Sequence, residues 1–409
     1  MKILMAHGTW YQTGGDWSYL QSLQSLYSER GDEILPFSME DVRNAPTEFS
    51  KYFVSNINYK DAHEKSSLID VKNVVMRAIY STEAVNKLSW LLDENLIDVA
   101  QLNSIHNIQT LSIIPLLKER GIPVVWRVLD YKIICPNRTF LSDGRVCTKC
   151  LAGNYFWSTV KMCKKKSLTA SLVSTLDAYF NKYKKYYDLV DVFLLQSDFS
   201  REIFLKAGFP NHKLKVIANP YSATHGLTLP EKDESREEYI LYFGRLSSEK
   251  GVHTLIDAMK YLGNETLFVI GDGPEEKSLK DKAASMPSAK IKFLGSVWGD
   301  ELNNIIKYAK LTVVPSEWYE VSPYVILQSF DFGIPVVGAN IGGIPDLIVE
   351  GHTGKLFESG NSLDLARSVT YVINDNETDY FENCRGYLGD FHSPKIYYDA
   401  TMSLFRELM

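Results

Sequence analysis

Short apolar runs alternate with segments of helical periodicity from the start of the chain. The run "KILMA" at residues 2–6 is typical of a buried strand, and "DEILPFS" at residues 32–38 is typical of a second one. Between them, before Gly31, apolar residues recur at the spacing of one helix face: Trp17, Leu20, Leu23 and Leu26. This pattern predicts a strand–helix–strand unit with glycine in its first turn.

The same alternation restarts in the second half of the chain. A stretch rich in Pro, Gly, Ser and charge, residues 222–238, separates the halves and is typical of a domain linker. Alternating strands and helices predict parallel sheets covered by helices, so we expect an α/β protein made of two successive αβ sandwiches. Open sheets of this kind bind ligands at the carboxyl ends of their strands, which makes the cleft between the domains the expected site.

Length and charge narrow the function classes. A chain of 409 residues exceeds what one hydrophobic core usually serves, so two domains of roughly 200 residues are expected. The formal net charge of −6 gives no reason to expect nucleic-acid binding. The apolar start is too short for a signal peptide, and no apolar run approaches the roughly 20 residues that span a bilayer. We therefore expect a cytoplasmic protein, extending to peripheral contact with the inner face of the plasma membrane.

The segment "YFGRLSSEKG" at residues 242–251 carries two cations beside a predicted helix start. The chain leaves a strand through Gly244 and then presents Arg245 and Lys250. Guanidinium pairs with phosphate oxygens in a bidentate manner, ammonium adds a point charge, and free helical amides favour anions. This combination predicts a diphosphate site, with a solvated basic loop as the alternative.

Two further turns add to this pattern. In "FVIGDGPEE", Gly271 follows a strand, which by itself indicates only a tight turn. In "SEWYEVSPYVILQ", Ser322 is expected to be an N-cap and the following proline the first helical residue. The amides of Tyr324 and Val325 should then point toward an anion, with Glu320 just before them.

These segments, taken in order, resemble the large retaining glycosyltransferase family 4, which has the GT-B fold. The resemblance covers nearly the whole chain and is strongest over residues 239–357. It is carried by the ordered motifs "GRLSSEKG", "GDGP", "FLGSV", "PSEWYEVSPYVILQ" and "IGGIPDLIVEGHTGKLF". The arginine–lysine pair and the acidic loop are the specific members of this set.

The resemblance implies a domain plan. In the GT-B fold, two Rossmann-like αβα domains face each other across a cleft. Residues 1–218 would form the acceptor-side domain, residues 219–391 the nucleotide-sugar-binding domain, and residues 392–409 a helix that crosses back to the first domain.

The resemblance also implies the chemistry. A sugar would move from a nucleotide-diphosphate donor, carrying UDP or GDP, with retained anomeric configuration and without a catalytic metal. Arg245 and Lys250 would bind the donor diphosphate. Gly14 and Gly15 match the family's N-terminal glycine loop, which faces the same phosphates across the cleft.

Two positions depart from the family pattern. The second glutamate of the acidic motif, which binds the ribose hydroxyls, is replaced here by Gln328. An amide accepts with one atom and donates with the other, so a loss of about 1 kcal/mol in donor binding is expected. The histidine that usually precedes Asp130 and helps hold the donor sugar is replaced by Leu129. This change favours a sugar with an apolar edge, such as a 6-deoxyhexose; a rearranged pocket around Asp130 and lost activity are the alternatives.

Four of the five cysteines lie close together in the sequence. They occur in an insertion at residues 135–163, and the middle pair has CxxC spacing: Cys135, Cys147, Cys150 and Cys163. Four thiolates in this spacing suit a structural zinc ion, and free thiols in a small loop core are the alternative.

A basic segment follows the cysteines. Residues 161–185 contain seven lysines and one aspartate, with apolar residues at helical spacing. Basic amphipathic segments attract anionic lipid surfaces or a phosphorylated acceptor, whereas a solvated helix face is the ordinary explanation.

The combined prediction is a hexosyl- or deoxyhexosyltransferase of polysaccharide or glycoconjugate biosynthesis. Its acceptor would be a saccharide or a polyprenyl-diphosphate-linked saccharide. A catalytically silent sugar-nucleotide-binding protein of the same fold is one alternative, favoured by Leu129 and Gln328. A nucleotide-sugar epimerase is another.

Overall fold

The computed structural model describes residues 1–12, 15–56, 77, 79–106, 108–222 and 238–409. These residues form two lobes, each built around a six-stranded parallel sheet. The linker predicted at residues 222–238 lies almost wholly outside the described residues, as does residue 14 of the predicted glycine loop. The predicted α/β class with two parallel sandwiches is confirmed.

The first sheet has the strand order β2-β1-β3-β4-β7-β8. Its strands are apolar and largely buried, because helices cover both faces. Its strands are β1 (Lys2–Ala6), β2 (Glu33–Phe37), β3 (Val99–Leu102), β4 (Val124–Arg127), β7 (Val192–Leu195) and β8 (Leu214–Val216). Pro36 is tolerated in β2 because that strand lies at the sheet edge.

The helices of the first lobe follow the predicted alternation. They are α1 (Gly15–Ser28), α2 (Thr82–Glu94), α3 (Ile113–Glu119), α4 (Phe156–Val160), α5 (Leu168–Tyr183) and α6 (Asp198–Lys206). A small antiparallel hairpin, β5 (Leu141–Ser142) and β6 (Arg145–Val146), lies within the cysteine-bearing insertion. Ser197 caps α6, since its hydroxyl accepts from the Ser200 amide at 3.2 Å.

The second sheet has the strand order β11-β10-β9-β12-β13-β14. Its strands are β9 (Tyr239–Phe243), β10 (Thr266–Ile270), β11 (Lys290–Gly295), β12 (Ala309–Val314), β13 (Val336–Ala339) and β14 (Gly354–Phe357). Its helices are α7 (Val252–Ala258), α8 (Glu276–Ala284), α9 (Gly299–Lys307), α10 (Tyr324–Asp331), α11 (Ser362–Asn374) and α12 (Tyr380–Phe391). This is the strand order of dinucleotide-binding folds, and it reverses direction between β9 and β12.

The last helix, α13 (Pro394–Leu408), packs on the first lobe, as the predicted fold requires. The hydroxyl groups of Tyr19 and Tyr397 lie 2.8 Å apart in a buried hydrogen bond between α1 and α13. The chain passes between the lobes twice, near Tyr221 and near His392. These two segments meet beside α13, where the Tyr221 amide donates to the His392 carbonyl at 2.8 Å. The domain boundaries at residues 218 and 391 stay predictions.

Candidate active site

The turns after β9 and β10 meet backbone to backbone at the carboxyl edge of the second sheet. A Cβ on Gly271, where φ is +131°, would lie 1.9 Å from the Gly244 carbonyl oxygen. Only glycine permits this approach. Arg245 therefore projects from a rigid turn at the point where the strand order reverses. Its side chain is exposed, and it has no ion pair with another described residue.

Lys250 and Glu320 are brought together across the same edge. The Lys250 ammonium lies 2.7 Å from Glu320 Oε1, and the Ser316 hydroxyl donates to the same oxygen at 2.8 Å. Glu320 is buried, so the ammonium offsets the cost of removing its charge from water. Gly251 makes the approach possible: a Cβ there would lie 1.9 Å from the Pro315 carbonyl oxygen.

A second ion pair joins α7 to the acidic loop that contains Glu320. His253 Nε2 lies 3.2 Å from Glu317 Oε1, and the Thr254 hydroxyl also donates to Glu317. The hydrogen bond to Glu317 raises the pKa of His253, although burial acts against it. Burial alone would raise the pKa of Glu317, but the hydrogen bonds from His253 and Thr254 outweigh burial and lower it.

The start of α10 differs from the prediction by one residue. Pro323, not Ser322, is the N-cap, with φ −71° and ψ 115°, and the helix begins at Tyr324. Ser322 makes no capping hydrogen bond because its position lies outside the first turn; its buried hydroxyl has no hydrogen-bond partner among the described residues. Since proline lacks an N–H, Tyr324 and Val325 supply the first free helical amides, as expected for an anion site.

The turn after β13 holds the acidic loop in place. A Cβ on Gly342, where φ is +61°, would lie 2.6 Å from the Glu320 nitrogen. The Gly343 amide donates to the Glu320 carbonyl at 2.8 Å. No α-helix follows this turn, contrary to the strand–helix alternation; residues 341–347 form bends and turns.

The first lobe contributes the opposite wall. Asp130 Oδ1 accepts from the Lys132 amide at 2.7 Å, and Asp130 Oδ2 pairs with Arg138 Nε at 3.2 Å. Leu129 is half-buried and packs against the apolar cluster under α1 and α13. Gly15 opens α1, whereas Gly14 lies outside the described residues.

Aromatic side chains of the two lobes contact each other beside these walls, and sequence reasoning missed them. Tyr319 of the acidic loop packs on Phe199 at 4.8 Å and on Phe140 at 5.9 Å between ring centroids. The Tyr131 hydroxyl, directly after Asp130, donates to the Glu320 carbonyl at 3.4 Å. Their only signal in the sequence is adjacency to the acidic residues that were recognised.

Gln328 lies one turn into α10, half-buried and with no side-chain hydrogen bond to another described residue. An amide in this state is available to a ligand. The structure thus collects Arg245, Lys250, Glu320 and Gln328 on the second-lobe side, with Asp130 on the facing wall.

The zinc site at the four clustered cysteines stays a prediction. Among the described residues, no three His, Cys, Asp or Glu side chains form a group that could hold a metal ion. Cys135 belongs to the main core of the first lobe, whereas Cys150 packs in a separate small cluster with Tyr155. Burial, together with the neighbouring thiols of Cys135, Cys163 and Cys147, raises the pKa of Cys150 to about 12. Cys147 and Cys163 are partly exposed thiols of the same insertion.

Comparison with known proteins identifies the fold first. The chain aligns over its full length with the lipopolysaccharide outer core galactosyltransferase WaaB, at a TM-score of 0.66 and 18% identity, covering 100% of both chains. A sucrose-phosphate synthase from Thermosynechococcus elongatus aligns with a TM-score of 0.71 and 15% identity, covering 100% of this chain and 98% of that one. These structures confirm the GT-B fold.

Sequence comparison shows what the second lobe is similar to. Residues 230–384 match the family described as "Glycosyl transferases group 1". Sulfoquinovosyl transferase SQD2 of Arabidopsis thaliana is 34% identical over 148 residues, which are 36% of this chain and 28% of that protein. A GDP-mannose-dependent alpha-mannosyltransferase of Corynebacterium glutamicum is 37% identical over 136 residues, 33% of this chain and 31% of that protein. The chain spans about a third of the length of these two relatives.

Proposed function

We propose that this protein is a glycosyltransferase that takes a sugar from a nucleoside-diphosphate donor bound between the lobes. The observation that supports it most is the convergence of Arg245, Lys250 and the first amides of α10 at one edge of the second sheet. That edge is where the strand order reverses and where folds of this type bind nucleotides. The match of residues 230–384 to group 1 glycosyl transferases supports the same activity.

The reaction follows from where charge develops. When the bond between the sugar and the diphosphate breaks, negative charge grows on the departing phosphate oxygen. Arg245, Lys250 and the amides of Tyr324 and Val325 stabilise that charge from fixed positions, so they lower the barrier without reorganising. Lys250 is held by Glu320 at 2.7 Å, which fixes the position of its ammonium at this edge of the sheet.

We propose that transfer retains the anomeric configuration. The acceptor hydroxyl would attack from the side on which the diphosphate leaves, passing its proton to the departing phosphate oxygen. This course needs no nucleophilic side chain from the protein. It agrees with a site whose buried carboxylate, Glu320, is already engaged by Lys250 and Ser316.

The proposed acceptor is a saccharide, free or linked to a lipid. Among the relatives is a lipopolysaccharide core biosynthesis glycosyltransferase of Rhizobium meliloti, 30% identical over 138 residues, 34% of this chain and 40% of that protein. For the donor, both bases require testing. One structural neighbour of this fold is Anabaena Alr3699/HepE in complex with UDP and glucose, whereas the Corynebacterium relative is GDP-mannose-dependent.

A panel of UDP- and GDP-linked sugars, with and without a 6-hydroxyl group, tests the function directly. Donor turnover should appear with at least one member and fall about 100-fold or more in Arg245→Ala, because one fixed donor to a developing charge is removed. Arg367→Ala, which removes an exposed arginine on α11, is the matched control and should keep full activity. Selective use of 6-hydroxylated donors would eliminate the 6-deoxyhexose hypothesis.

The second candidate is a catalytically silent sugar-nucleotide-binding protein. The neutral Gln328 and the apolar packing of Leu129 favour it. Donor binding that Arg245→Ala weakens, combined with no turnover of any donor in the panel, would support this candidate and reject the transferase.

A further inference from the structure

Helix α5 buries mainly polar side chains and exposes apolar ones. Phe180 packs partly buried against the core of the first lobe, but the fully buried side chains of the helix are small and, apart from one alanine, polar: Ser171, Ser174, Thr175, Asp177, Ala178 and Asn181. Asp177 forms a buried ion pair, since its Oδ2 lies 2.8 Å from the ammonium of Lys132. Ser174 accepts from the same ammonium at 3.0 Å. Most of the large apolar side chains of α5 are therefore left outside.

The outer face of α5 is a continuous apolar stripe. Its members are exposed to 58% at Leu168, 45% at Leu172, 48% at Leu176, 38% at Tyr179 and 81% at Tyr183. At 3.6 residues per turn, these five positions fall within about 80° of one another. Scattered exposed leucines need no explanation, but a stripe along one helix indicates an interaction surface.

Helix α4 extends this stripe sideways. Phe156 is 58% exposed and Val160 is 50% exposed. The Phe156 amide donates to the Tyr179 hydroxyl at 3.1 Å, and Thr159 donates to Thr175 at 2.9 Å, so the two helices are side by side. The stripe and its extension form one surface, called the α4–α5 face: Phe156, Val160, Leu168, Leu172, Leu176, Tyr179 and Tyr183.

The charge around the α4–α5 face has one sign. Residues 161–185 carry seven lysines, on the connection between α4 and α5 and at the end of α5. The single aspartate of this segment, Asp177, is buried and paired with Lys132. The whole chain is acidic, with net charge −6, so this positive region is a local feature.

We propose that the α4–α5 face docks on the surface of an anionic lipid bilayer. Exposed leucines and tyrosines bordered by lysines are what an interfacial helix presents to acyl chains and anionic headgroups. A second copy of the chain fits less well, because the lysines of two such faces would oppose each other. Among the described residues, no helix is long and apolar enough to cross a membrane.

Docking in this way would place the candidate cleft near the bilayer. Lys132, which α5 holds from one side, donates its amide to Asp130 in the first-lobe wall at 2.7 Å. The inference concerns binding alone and does not depend on the proposed transferase activity.

Flotation of the full chain with vesicles tests the proposal. The protein should float with vesicles of phosphatidylcholine and phosphatidylglycerol, and not with phosphatidylcholine alone. High salt should reduce flotation, since it screens the lysines. The double variant Leu172→Ser/Leu176→Ser should lower vesicle affinity at least about tenfold, because both side chains lose contact with acyl chains. Lys165→Glu/Lys166→Glu should lower it by a similar factor.

The matched control is Val349→Ser/Leu363→Ser, which removes two apolar side chains of similar exposure, 45% and 42%, from the second lobe. It should float like the wild type. All variants should keep the wild-type thermal midpoint and donor binding, which separates lost docking from misfolding. The proposal is overturned if the wild type stays unbound on anionic vesicles, or if the leucine variant floats equally well. It is equally overturned if the wild type is a dimer that this variant converts to a monomer without a change in flotation.

Discussion

The two lobes share one layered architecture, yet the walls that they present to the cleft are built differently. In the second lobe, backbone meets backbone at several glycines that leave no room for a Cβ, among them Gly251 against Pro315, Gly271 against Gly244, and Gly342 against Glu320. In the first lobe, the wall consists of side chains engaged with their neighbours, Asp130 with Arg138 and Leu129 with the core.

This difference separates two properties of the site. Backbone contacts cannot shift without moving whole turns, so the groups that would hold the diphosphate keep their positions before the donor arrives. Side chains on the first-lobe wall can be exchanged without changing the path of the chain. We therefore expect the second lobe to determine whether a donor is processed, and the first lobe to determine which sugar and acceptor are used.

The largest effect on the second-lobe wall is expected from Gly342→Ala. The new Cβ would lie 2.6 Å from the Glu320 nitrogen and 2.8 Å from its carbonyl oxygen, at a φ of +61° that alanine disfavours. We expect the free energy of unfolding to fall by about 2 kcal/mol or more. Displacement of Glu320 and Lys250 should lower donor turnover at least about tenfold. Chemical denaturation and the donor assay measure the two effects.

Gly386→Ala is the matched control. Gly386 lies in the exposed interior of α12, and a Cβ there meets nothing within 4 Å. Alanine should stabilise the protein by about 0.5–1 kcal/mol without changing turnover. Equal behaviour of the two variants would show that the turn after β13 does not position the acidic loop.

The alternation of strands and helices was predictable because parallel strands covered on both faces are apolar throughout. The orientation of α5 was not, since periodicity indicates an amphipathic helix without stating which face is buried. Here the polar face lies inside because Lys132, distant in sequence, needs Asp177.

The second-lobe part of the site was more accessible to sequence reasoning than the first-lobe part. Short local motifs contain Arg245, Lys250 and Glu320, and the residue types in these motifs indicate their chemistry. The contact of Tyr131 with the Glu320 carbonyl joins residues 189 positions apart, and no local pattern contains it. The zinc site stays a prediction: among the described residues no three metal-ligating side chains form a group, and spacing alone cannot show how the four thiols pack.

A carboxylate at position 328 should strengthen donor binding by the second lobe. Gln328 has no side-chain partner among the described residues, so Gln328→Glu replaces an uncommitted amide with a carboxylate. Hydrogen bonds to an ion are about twice as strong as neutral ones, and we expect donor affinity to rise about fivefold. Calorimetric titration with the donor measures the change.

Gln328→Leu serves as the opposite control, because it keeps the side-chain size and removes both the donor and the acceptor atoms. Its donor affinity should fall below that of the wild type. If the three proteins bind the donor equally, position 328 does not contact the ribose, and the donor lies elsewhere along α10.

The smallest expected effect concerns the pair under the acidic loop. The pKa of His253 is raised above 6.5 by its hydrogen bond to Glu317. A histidine whose pKa is higher in the folded state adds stability below its unfolded pKa, and this contribution is lost as pH rises through the folded value. Nearby Asp257 supports the raised pKa and Lys282 opposes it. Because the His253 side chain is 44% exposed, we expect only a few tenths of a kcal/mol, about the value of a screened surface pair.

His253→Gln isolates this contribution. The wild type should be more stable than the variant near pH 6, and the difference should shrink toward about pH 8 as the imidazolium loses its proton. Denaturation with urea at several pH values measures it, and His212→Gln, at an exposed position in the first lobe, should show no such trend. A difference that instead grows with pH would mean that neutral His253 is the stabilising form. The acidic loop would then rest on packing at Gly251 and Gly342 rather than on an ion pair, and its position would not depend on pH between about 6 and 8.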